Sequence, residues 1–478
     1  MHQCIDLKLK SLLRRFAVSG LVIIAAVIAV AAQGRPPVIV IPGLTGSELV
    51  SSKNGSVVWF KVRRSKTDDL SLPISPNIAA NRDSLVPRDI LRKVRLGFFK
   101  STDAYAGLLD AIEDKGYKEG KWDNPPVKGY QDTIYIFPYD WRRDNVENAR
   151  LLIRQIETLK RRLKRPNLKF DVIAHSMGGL IARYAAMYGD ADLPNGTKMT
   201  PTWAGARDFN KIVLLGTPNQ GSVIALNSLL NGFSVFGIQI NLPFIQNLSK
   251  FDLFTIPSGY QLLPFDGTIK VYDEDLKPLK IDLYNPETWN EYGWNVIDDK
   301  DFSKKFSAAE QENARAYFAA VLDRARRFQD ALNAAPAGAA PVSYYIIGAE
   351  CKDTPDGVVV FQDPKTGKWR TIFKPEEFTT SSGRKVTVDE VKRVIFTKGD
   401  GVVAKDSLLT SSLSIVSEIK NILFPTPATF VCEEHNRLPA NPEVQNDIVA
   451  LFSGKKPVTV IPAKAGSQPT KTTKSRGN

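Results

Sequence analysis

Short apolar runs rich in β-branched residues alternate along this chain with amphipathic stretches of helical period. Residues 38–41 (VIVI) form one such run, and Pro42 with Gly43 ends it, as expected of a buried strand. In residues 146–163 the apolar positions recur at spacings of four and three on one face, which predicts a helix. Strands that alternate with helices favour an α/β fold, in which helices cover a mainly parallel sheet.

The same patterns predict the remaining elements in outline. Strands are predicted at 170–174, 211–215, 342–347 and 393–396, helices at 102–115, 178–187 and 307–332, a hairpin at 357–372 and a last helix after Asn441. Ser307 and Glu310 form the capping-box pattern that begins the long helix. Residues 219–306 lose this rhythm and hold an apolar cluster without a clear period. They suit either a cap or lid over an active site or a helical insertion packed on the core.

Both ends of the chain differ in composition from the body, residues 35–453. Basic residues from Lys8 to Arg15 precede a 17-residue apolar run, 16–32, which ends in a small-x-small pattern. We therefore interpret residues 1–34 as a signal peptide, with an uncleaved membrane anchor as the alternative. Either one places the body beyond the inner membrane, in the periplasm or outside the cell. Residues 454–478, rich in Pro, Lys, Ser and Thr, are predicted to be a disordered basic tail.

Most of the formal net charge of +13 lies outside the body. The tail carries six positive charges and no acid, and the leader a net three, so about four remain for the body. No zinc-finger spacing or RNA-binding signature accompanies these charges, which argues against nucleic acid as a partner. The basic tail could instead attach to an anionic membrane surface, with a solvated terminus as the alternative. The three cysteines are Cys4, Cys351 and Cys432; the last two could form a disulfide in an oxidising compartment or remain buried thiols.

Ser176 is the candidate nucleophile. It lies in Ala174-His175-Ser176-Met177-Gly178, directly after a β-branched strand and before a helix that begins with two glycines. This is the arrangement of a nucleophile elbow, with Ala in place of the first glycine of Gly-x-Ser-x-Gly. Because a serine hydroxyl is a weak nucleophile, it needs a base within hydrogen-bond distance and a third group that orients that base.

The candidate base is His435, since the chain has only three histidines. His2 lies in the leader, and His175 adjoins Ser176 at a strand end, where it is expected to pack or hydrogen-bond beneath the elbow. The candidate acid is Asp400, on a tight loop between glycines, with Asp406 as the alternative. Serine, aspartate and histidine in this chain order are typical of α/β-hydrolases.

An oxyanion hole needs two backbone N–H donors. Met177, the residue after the nucleophile, is expected to give one, and Leu44, in the glycine-rich turn after the first strand, the other. The two usable histidines lie far apart in the sequence and no ligand cluster surrounds them, so no metal site and no cofactor are predicted.

Seven short motifs, which occur in the order found in a known family, give the chain a resemblance to that family. The motifs are Ile41-Pro42-Gly43-Leu44-Thr45-Gly46-Ser47, Pro138-Tyr139-Asp140-Trp141-Arg142, Ala174-His175-Ser176-Met177-Gly178-Gly179, Gly216-Thr217-Pro218-Asn219-Gln220-Gly221-Ser222, Pro257-Ser258-Gly259-Tyr260-Gln261-Leu262-Leu263-Pro264, Gly399-Asp400-Gly401 and Glu434-His435. The chain resembles a bacterial member of the lecithin–cholesterol acyltransferase family, which includes phospholipid:diacylglycerol acyltransferases and phospholipases A. Val402 departs from the pattern, because relatives often have Thr there.

The resemblance implies an α/β-hydrolase fold with a cap and the same five site residues: Ser176 as nucleophile, Asp400 as acid, His435 as base, and the Leu44 and Met177 amides as oxyanion hole. It implies an enzyme that takes an acyl group from a lipid ester and passes it to an alcohol or to water at a membrane or lipid surface. The alternatives are a plain esterase or triacylglycerol lipase and, from another class, a non-catalytic lipid-binding relative. The hairpin at 357–372 and the basic tail match no part of the family.

Overall fold

The computed structural model describes residues 35–61, 68–94, 102–126, 128–193, 199–233, 247–410, 427–455 and 457. The predicted leader, nearly all of the predicted tail and residues 234–246 of the predicted cap lie outside this set. Among the helices within it, none combines the length and the apolar character that a bilayer crossing requires.

Twenty strands are described. They are β1 (Val38–Ile41), β2 (Ser47–Ser51), β3 (Val57–Trp59), β4 (Leu85–Ile90), β5 (Lys93–Val94), β6 (Thr102–Asp103), β7 (Lys118–Glu119), β8 (Thr133–Ile136), β9 (Phe170–His175), β10 (Phe209–Leu215), β11 (Lys270–Tyr272), β12 (Pro278–Leu279), β13 (Ser343–Ala349), β14 (Lys352–Pro355), β15 (Gly357–Gln362), β16 (Trp369–Ile372), β17 (Phe378–Thr379), β18 (Lys385–Val386), β19 (Phe396–Gly399) and β20 (Thr429–Val431).

Twelve α-helices are described in the same residues. They are α1 (Ala106–Glu113), α2 (Asn145–Leu163), α3 (Met177–Tyr188), α4 (Val223–Asn231), α5 (Lys250–Phe254), α6 (Pro257–Tyr260), α7 (Pro286–Glu291), α8 (Phe302–Lys305), α9 (Ala308–Leu332), α10 (Val388–Ile395), α11 (Lys405–Leu409) and α12 (Pro442–Phe452).

A seven-stranded sheet forms the centre of the molecule, in the order β20-β13-β10-β9-β1-β8-β7, and each neighbouring pair is parallel. Its central strands are buried on both faces: all four residues of β1 and all six of β9 are buried. A strand covered on both faces can be apolar throughout, which is why VIVI carries no alternation. The predicted α/β architecture with a mainly parallel sheet is confirmed.

The order of the strands also places a crevice. After β1 the chain goes to β7 at one edge and returns to β8 beside β1, and it then crosses to β9 and continues outward through β10, β13 and β20 on the other side. The carboxyl ends of β1 and β9 therefore adjoin at the point where the direction of winding reverses, the usual position of a ligand site in open α/β sheets. Residues 42–46 follow β1 there, and Ser176 follows β9.

A long excursion separates β13 from β20. Its base is an antiparallel ladder of β14 with β19, in which Lys352 pairs with Gly399 and Pro355 with Phe396. The excursion thus returns to the point where it left the sheet, and Asp400 follows directly. The predicted hairpin is present, since β15 pairs antiparallel with β16. It joins β11 and β12 of the predicted cap in one four-stranded sheet, so the two segments are structurally continuous.

The structure differs from the sequence prediction in two elements. Residues 393–395, predicted as strand, end α10, a helix that begins with a capping box of Thr387 and Glu390 and buries Val391 and Ile395 four residues apart. Adjacent β-branched residues suggested a strand, but burial at helical spacing decides the local structure. The helix predicted at 102–115 is shorter, because Thr102 and Asp103 pair as β6 with β5 and the helix spans Ala106–Glu113.

The two cysteines of the body form a disulfide, Cys351–Cys432, with a Cα–Cα distance of 5.4 Å. Cys351 follows β13, and Cys432 follows β20. The bond therefore joins the start of the excursion that carries Asp400 to the segment that carries His435. Of the two sequence-based alternatives, disulfide or separate thiols, the structure contains the disulfide.

Candidate active site

Ser176 occupies a strained turn between β9 and α3. Its backbone has φ 53° and ψ −126°, a region that residues other than glycine rarely adopt. Close approach of three segments explains why glycines surround it: a Cβ on Gly178 would lie 2.5 Å from the Pro42 carbonyl oxygen, and one on Gly43 would lie 2.8 Å from the Ser176 Cβ. The turn lifts the Ser176 side chain out of the sheet, as predicted for a nucleophile elbow.

The structure brings Ser176, His435 and Asp400 into one hydrogen-bonded chain. The Ser176 Oγ lies 2.8 Å from His435 Nε2, and His435 Nδ1 lies 2.7 Å from Asp400 Oδ2. The backbone holds the same pair together, since the His435 amide donates to the Asp400 carbonyl oxygen at 3.0 Å. His435 and Asp400 are only 5% and 3% exposed, so water competes little for these contacts.

The surroundings of Asp400 keep its carboxyl ionised. Burial by itself raises the pKa of this group. The attraction of His435 and the hydrogen bonds that the carboxylate accepts from the His435 ring and the Val403 and Val402 amides act in the opposite direction. Together they outweigh burial and lower the pKa of Asp400 below its usual value. Both amides donate to Oδ1, at 2.9 Å from Val402 and 2.7 Å from Val403. The main chain of residue 402 supplies this bond, so the Val in place of Thr leaves it intact.

Asp406, the alternative acid, lies in α11, is exposed and does not contact His435. Of the two acids that the sequence left open, the structure brings Asp400 to the histidine.

His175 lines the same cavity as Ser176, but its ring nitrogens are hydrogen-bonded to other groups. Its Nδ1 is 2.7 Å from the Tyr105 hydroxyl and its Nε2 is 3.2 Å from the His435 carbonyl oxygen. Burial, helped by the nearby His435 ring, lowers the pKa of His175 from 6.5 to about 3. This ring is therefore neutral at physiological pH, and the geometry agrees with the prediction that it packs and hydrogen-bonds under the elbow.

The low pKa of His175 makes acid stability testable. Below pH 6.5 the unfolded chain binds a proton at His175, whereas the folded chain does so only near pH 3. The free energy of unfolding therefore decreases as the pH is lowered from 6.5 to 3, by at most about 5 kcal/mol. The groups that face His175 are the Tyr105 hydroxyl and the His435 ring, with the Asp400 carboxylate behind. His175→Gln, which does not titrate, should show a flatter dependence of Tm on pH between pH 7 and 4. Identical slopes in both proteins would contradict the shift.

The two predicted oxyanion donors both belong to segments next to Ser176. Leu44 lines the same cavity as Ser176 and belongs to a turn closed by the bond from the Gly46 amide to the Gly43 carbonyl oxygen, 3.0 Å. Met177 is the first residue of α3, where backbone N–H groups have no partner within the helix. Within the described residues neither amide donates to a protein acceptor, so both remain available to a ligand.

A cavity of about 280 Å³ opens over Ser176 and His435. The predicted cap contributes much of its wall through apolar side chains of Leu229, Phe233, Leu253 and Leu262. Glu434 and Arg437 flank His435 at the mouth. A larger cleft, about 500 Å³, lies among polar side chains around Asp69 and Lys305 and contains none of the predicted site residues, so size alone does not identify the site.

The most distinctive sequence motif, Pro138 to Arg142, supports the turn after β1. The Tyr139 hydroxyl donates to the Pro42 carbonyl oxygen at 2.9 Å, and the Trp141 indole donates to the Ser47 carbonyl oxygen at 3.2 Å. The Ser258 hydroxyl, from the second distinctive motif, donates to the Trp141 carbonyl oxygen at 2.5 Å. Both motifs therefore join the glycine-rich turn to the base of the cap and do not touch the reacting groups.

Arg142 anchors this motif in the core. It is fully buried and paired with Asp140 at 2.8 Å and with Asp83 at 2.6 Å. A buried charge of this kind is retained only with partners that satisfy its donors. The roles of Asp83 and Tyr105 were not indicated by the sequence, because the local pattern around each residue does not reveal its distant partner. These partners are Arg142 and His175.

Among the described residues, no group of three or more His, Cys, Asp or Glu side chains is arranged to hold a metal ion.

Comparison with known proteins agrees with this description. Residues 101–325 match the sequence model of the lecithin:cholesterol acyltransferase family, which confirms the resemblance inferred from the motifs. The match includes Ser176 and ends before Asp400 and His435. No curated protein sequence matches the chain significantly.

Solved structures show similarity in the fold. A chain in the crystal structure of the Tle4-Tli4 complex is similar over 88% of this chain and 98% of that one, with 15% identity and a TM-score of 0.52. Weaker similarities are to Bacillus licheniformis lipase BlEst2 in mature form, over 66% and 67% with 11% identity and a TM-score of 0.25, and to phospholipase PlaB from Legionella pneumophila, over 66% and 40% with 13% identity and a TM-score of 0.25. The parallel sheet and the elbow are those of an α/β-hydrolase fold, as predicted.

Proposed function

We propose that this chain, whose residues 101–325 match the sequence model of the lecithin:cholesterol acyltransferase family, is a serine-dependent enzyme that forms an acyl-Ser176 intermediate from a lipid ester. The match to this family supports a lipid-acting hydrolase or acyltransferase. The serine mechanism, the residues that carry it and the acyl acceptor are the content of the proposal.

One observation carries the proposal: the hydrogen-bonded chain Ser176–His435–Asp400 ends at the floor of a cavity with apolar walls. A serine that only stabilises a fold needs neither a buried ionised partner behind its histidine nor an opening above its hydroxyl. An acyl chain, in contrast, needs apolar walls next to the nucleophile.

In the acylation step the Ser176 Oγ attacks the ester carbonyl carbon while His435 Nε2 takes the hydroxyl proton. The carbonyl oxygen becomes an oxyanion and accepts hydrogen bonds from the Leu44 and Met177 amides. The ionised Asp400 stabilises the imidazolium at Nδ1. When the tetrahedral intermediate collapses, the bond to the alcohol of the substrate breaks, and His435 returns the proton to that alcohol as it leaves.

The second step repeats this chemistry with a new acceptor. His435 takes a proton from an alcohol or a water molecule, whose oxygen attacks the acyl-Ser176 ester. The bond between the acyl carbon and the Ser176 Oγ then breaks, His435 returns the proton to that Oγ, and the product ester or free acid leaves. Which acceptor reacts depends on whether an alcohol is bound and on how far the cap excludes water. A plain esterase or triacylglycerol lipase is the alternative enzyme, and the apolar cavity is compatible with it.

Export is part of the proposal. The leader pattern in residues 1–34 supports it, and so does the Cys351–Cys432 disulfide, since such bonds persist in oxidising compartments. We further propose that the enzyme meets its substrate at a membrane or lipid surface.

The test is incubation of the purified full chain with acyl-labelled phospholipid vesicles, with and without a long-chain alcohol or sterol. Labelled ester that forms only with the alcohol would establish acyl transfer, and labelled fatty acid alone would establish hydrolysis. If neither product depends on Ser176, the serine mechanism on phospholipids is excluded. Short-chain nitrophenyl esters in the same assay would then distinguish a plain esterase from a binding protein.

A further inference from the structure

Tyr105, His175 and two backbone groups form a second hydrogen-bonded chain directly beneath the first. The Gly43 amide donates to the Tyr105 hydroxyl at 2.8 Å, the hydroxyl lies 2.7 Å from His175 Nδ1, and His175 Nε2 lies 3.2 Å from the His435 carbonyl oxygen. The rings of Tyr105 and His175 are buried, 5% and 6% exposed. None of these contacts involves the reacting hydroxyl.

Hydrogen-bond chemistry fixes the direction of this chain. The His435 carbonyl oxygen can only accept, so His175 Nε2 must carry the proton, and in a neutral ring Nδ1 then accepts. The Tyr105 hydroxyl therefore donates its single proton to Nδ1, and its lone pair accepts the Gly43 N–H. The lowered pKa of His175 is consistent with the neutral ring that this pattern requires.

The two ends of this hydrogen-bonded chain are the Gly43 amide and the His435 carbonyl oxygen. They lie in the two loops that carry the proposed oxyanion donor Leu44 and the proposed base. Gly43 immediately precedes Leu44, whose amide is a proposed oxyanion donor, and the other end is the backbone of His435, the proposed base. Gly43 also lies against Ser176, where a Cβ would approach the serine Cβ to 2.8 Å. A small shift of Gly43 would therefore change the direction in which the Leu44 N–H points.

We propose that Tyr105 and His175 are positioning residues, which hold the Leu44 amide and the His435 backbone in a fixed relation to each other. This inference rests on the proposed function, because it assigns the two residues to the oxyanion hole and base of that reaction. Both residues also line the cavity over Ser176, but their polar atoms are hydrogen-bonded to each other, to the Gly43 amide and to the His435 carbonyl oxygen, not to Ser176. Their effect is on the geometry of the transition state.

Tyr105→Phe tests the proposal, since it removes only the hydroxyl. It should lower kcat by about 10- to 100-fold with little change in KM, because a misplaced oxyanion donor weakens binding of the transition state and not of the ground state. The matched control is Tyr188→Phe, which removes another buried hydroxyl, one that donates to the Ala331 carbonyl oxygen at 2.9 Å at the far end of α3. Its Tm should fall similarly while kcat stays unchanged.

A double-mutant cycle tests the link to His175. The Gln side chain of His175→Gln can still donate to the His435 carbonyl oxygen but offers no acceptor in the place of Nδ1. If the two residues act as one chain, Tyr105→Phe should cost much less in the His175→Gln background than in the wild type. Additive losses would show that the two residues act separately and would overturn the proposal.

A fluorophosphonate probe separates the possible failures. It labels the reactive serine and places its phosphoryl oxygen in the oxyanion hole. A wild type that is not labelled at Ser176 would mean that the proposed function fails. A wild type that is labelled, together with a Tyr105→Phe variant labelled at the same rate, would overturn the positioning role alone. Slower labelling of Tyr105→Phe, with normal labelling of Tyr188→Phe, is the expected result.

Discussion

Ser176→Ala should lower kcat for any ester substrate by about 10⁴- to 10⁶-fold, because it removes the oxygen atom of the proposed acyl-Ser176 intermediate. The fold should be unaffected. Alanine has the same Cβ in the same positive-φ turn, and the Ser176 side chain makes no capping hydrogen bond to α3. The thermal midpoint of the variant should therefore lie close to that of the wild type. Steady-state kinetics on a soluble ester and a thermal melt measure both quantities.

The matched control for this substitution is Ser407→Ala, which also removes a hydroxyl that is partly buried. The Ser407 Oγ donates to the Gly221 carbonyl oxygen at 2.6 Å and does not line the cavity above Ser176. Its kcat should equal that of the wild type. Activity that survives in Ser176→Ala at more than a trace, in protein that is folded, would refute Ser176 as the nucleophile.

Asp400→Asn should lower kcat by about 10⁴-fold. The amide is nearly isosteric with the carboxylate but carries no charge to stabilise the His435 imidazolium, and its NH₂ group can hold the ring in the wrong tautomer. KM should change little, since Asp400 lies behind the histidine and away from the substrate. The same kinetic assay over a range of substrate concentrations gives both constants.

Asp406→Asn is the internal comparison for this prediction, because both acids lie in one short segment before His435 and the sequence left both open. Asp406 is exposed in α11, so its substitution should leave kcat within a factor of about two. The reverse result, a large loss in Asp406→Asn and none in Asp400→Asn, would reject the geometry described here.

The sequence allowed us to expect the three predicted catalytic groups close together, because it offers few candidate residues for the nucleophile, the base and the acid. Three histidines, one of them in the leader and one next to the serine, left His435. The elbow was recognisable because a buried strand, a serine and a pair of glycines are adjacent in the chain. Local patterns of this kind determine local structure, and the strand, turn and helix around Ser176 followed from them.

The position of the acid could not be derived in the same way. A strand was expected directly before Asp400 at 393–396, but α10 occupies most of that range, and the acid depends on the β14–β19 ladder, whose partners are Lys352 to Pro355 and Phe396 to Gly399. Pairing between segments more than 40 residues apart leaves no periodic signal in either one. The four-stranded sheet that β11 and β12 of the cap form with the hairpin strands β15 and β16 could not be predicted for the same reason.

The sequence by itself thus determined the parallel α/β class and the elbow and left His435 as the candidate base, since each follows from short-range patterning or from the scarcity of a residue type. Only the tertiary structure placed Asp400, and not Asp406, against His435, paired Cys351 with Cys432, and brought Tyr105 to His175 from 70 residues away. These are contacts between side chains on different elements. Their geometry depends on how the sheet, the excursion and the helices pack, and no single segment of the chain encodes it.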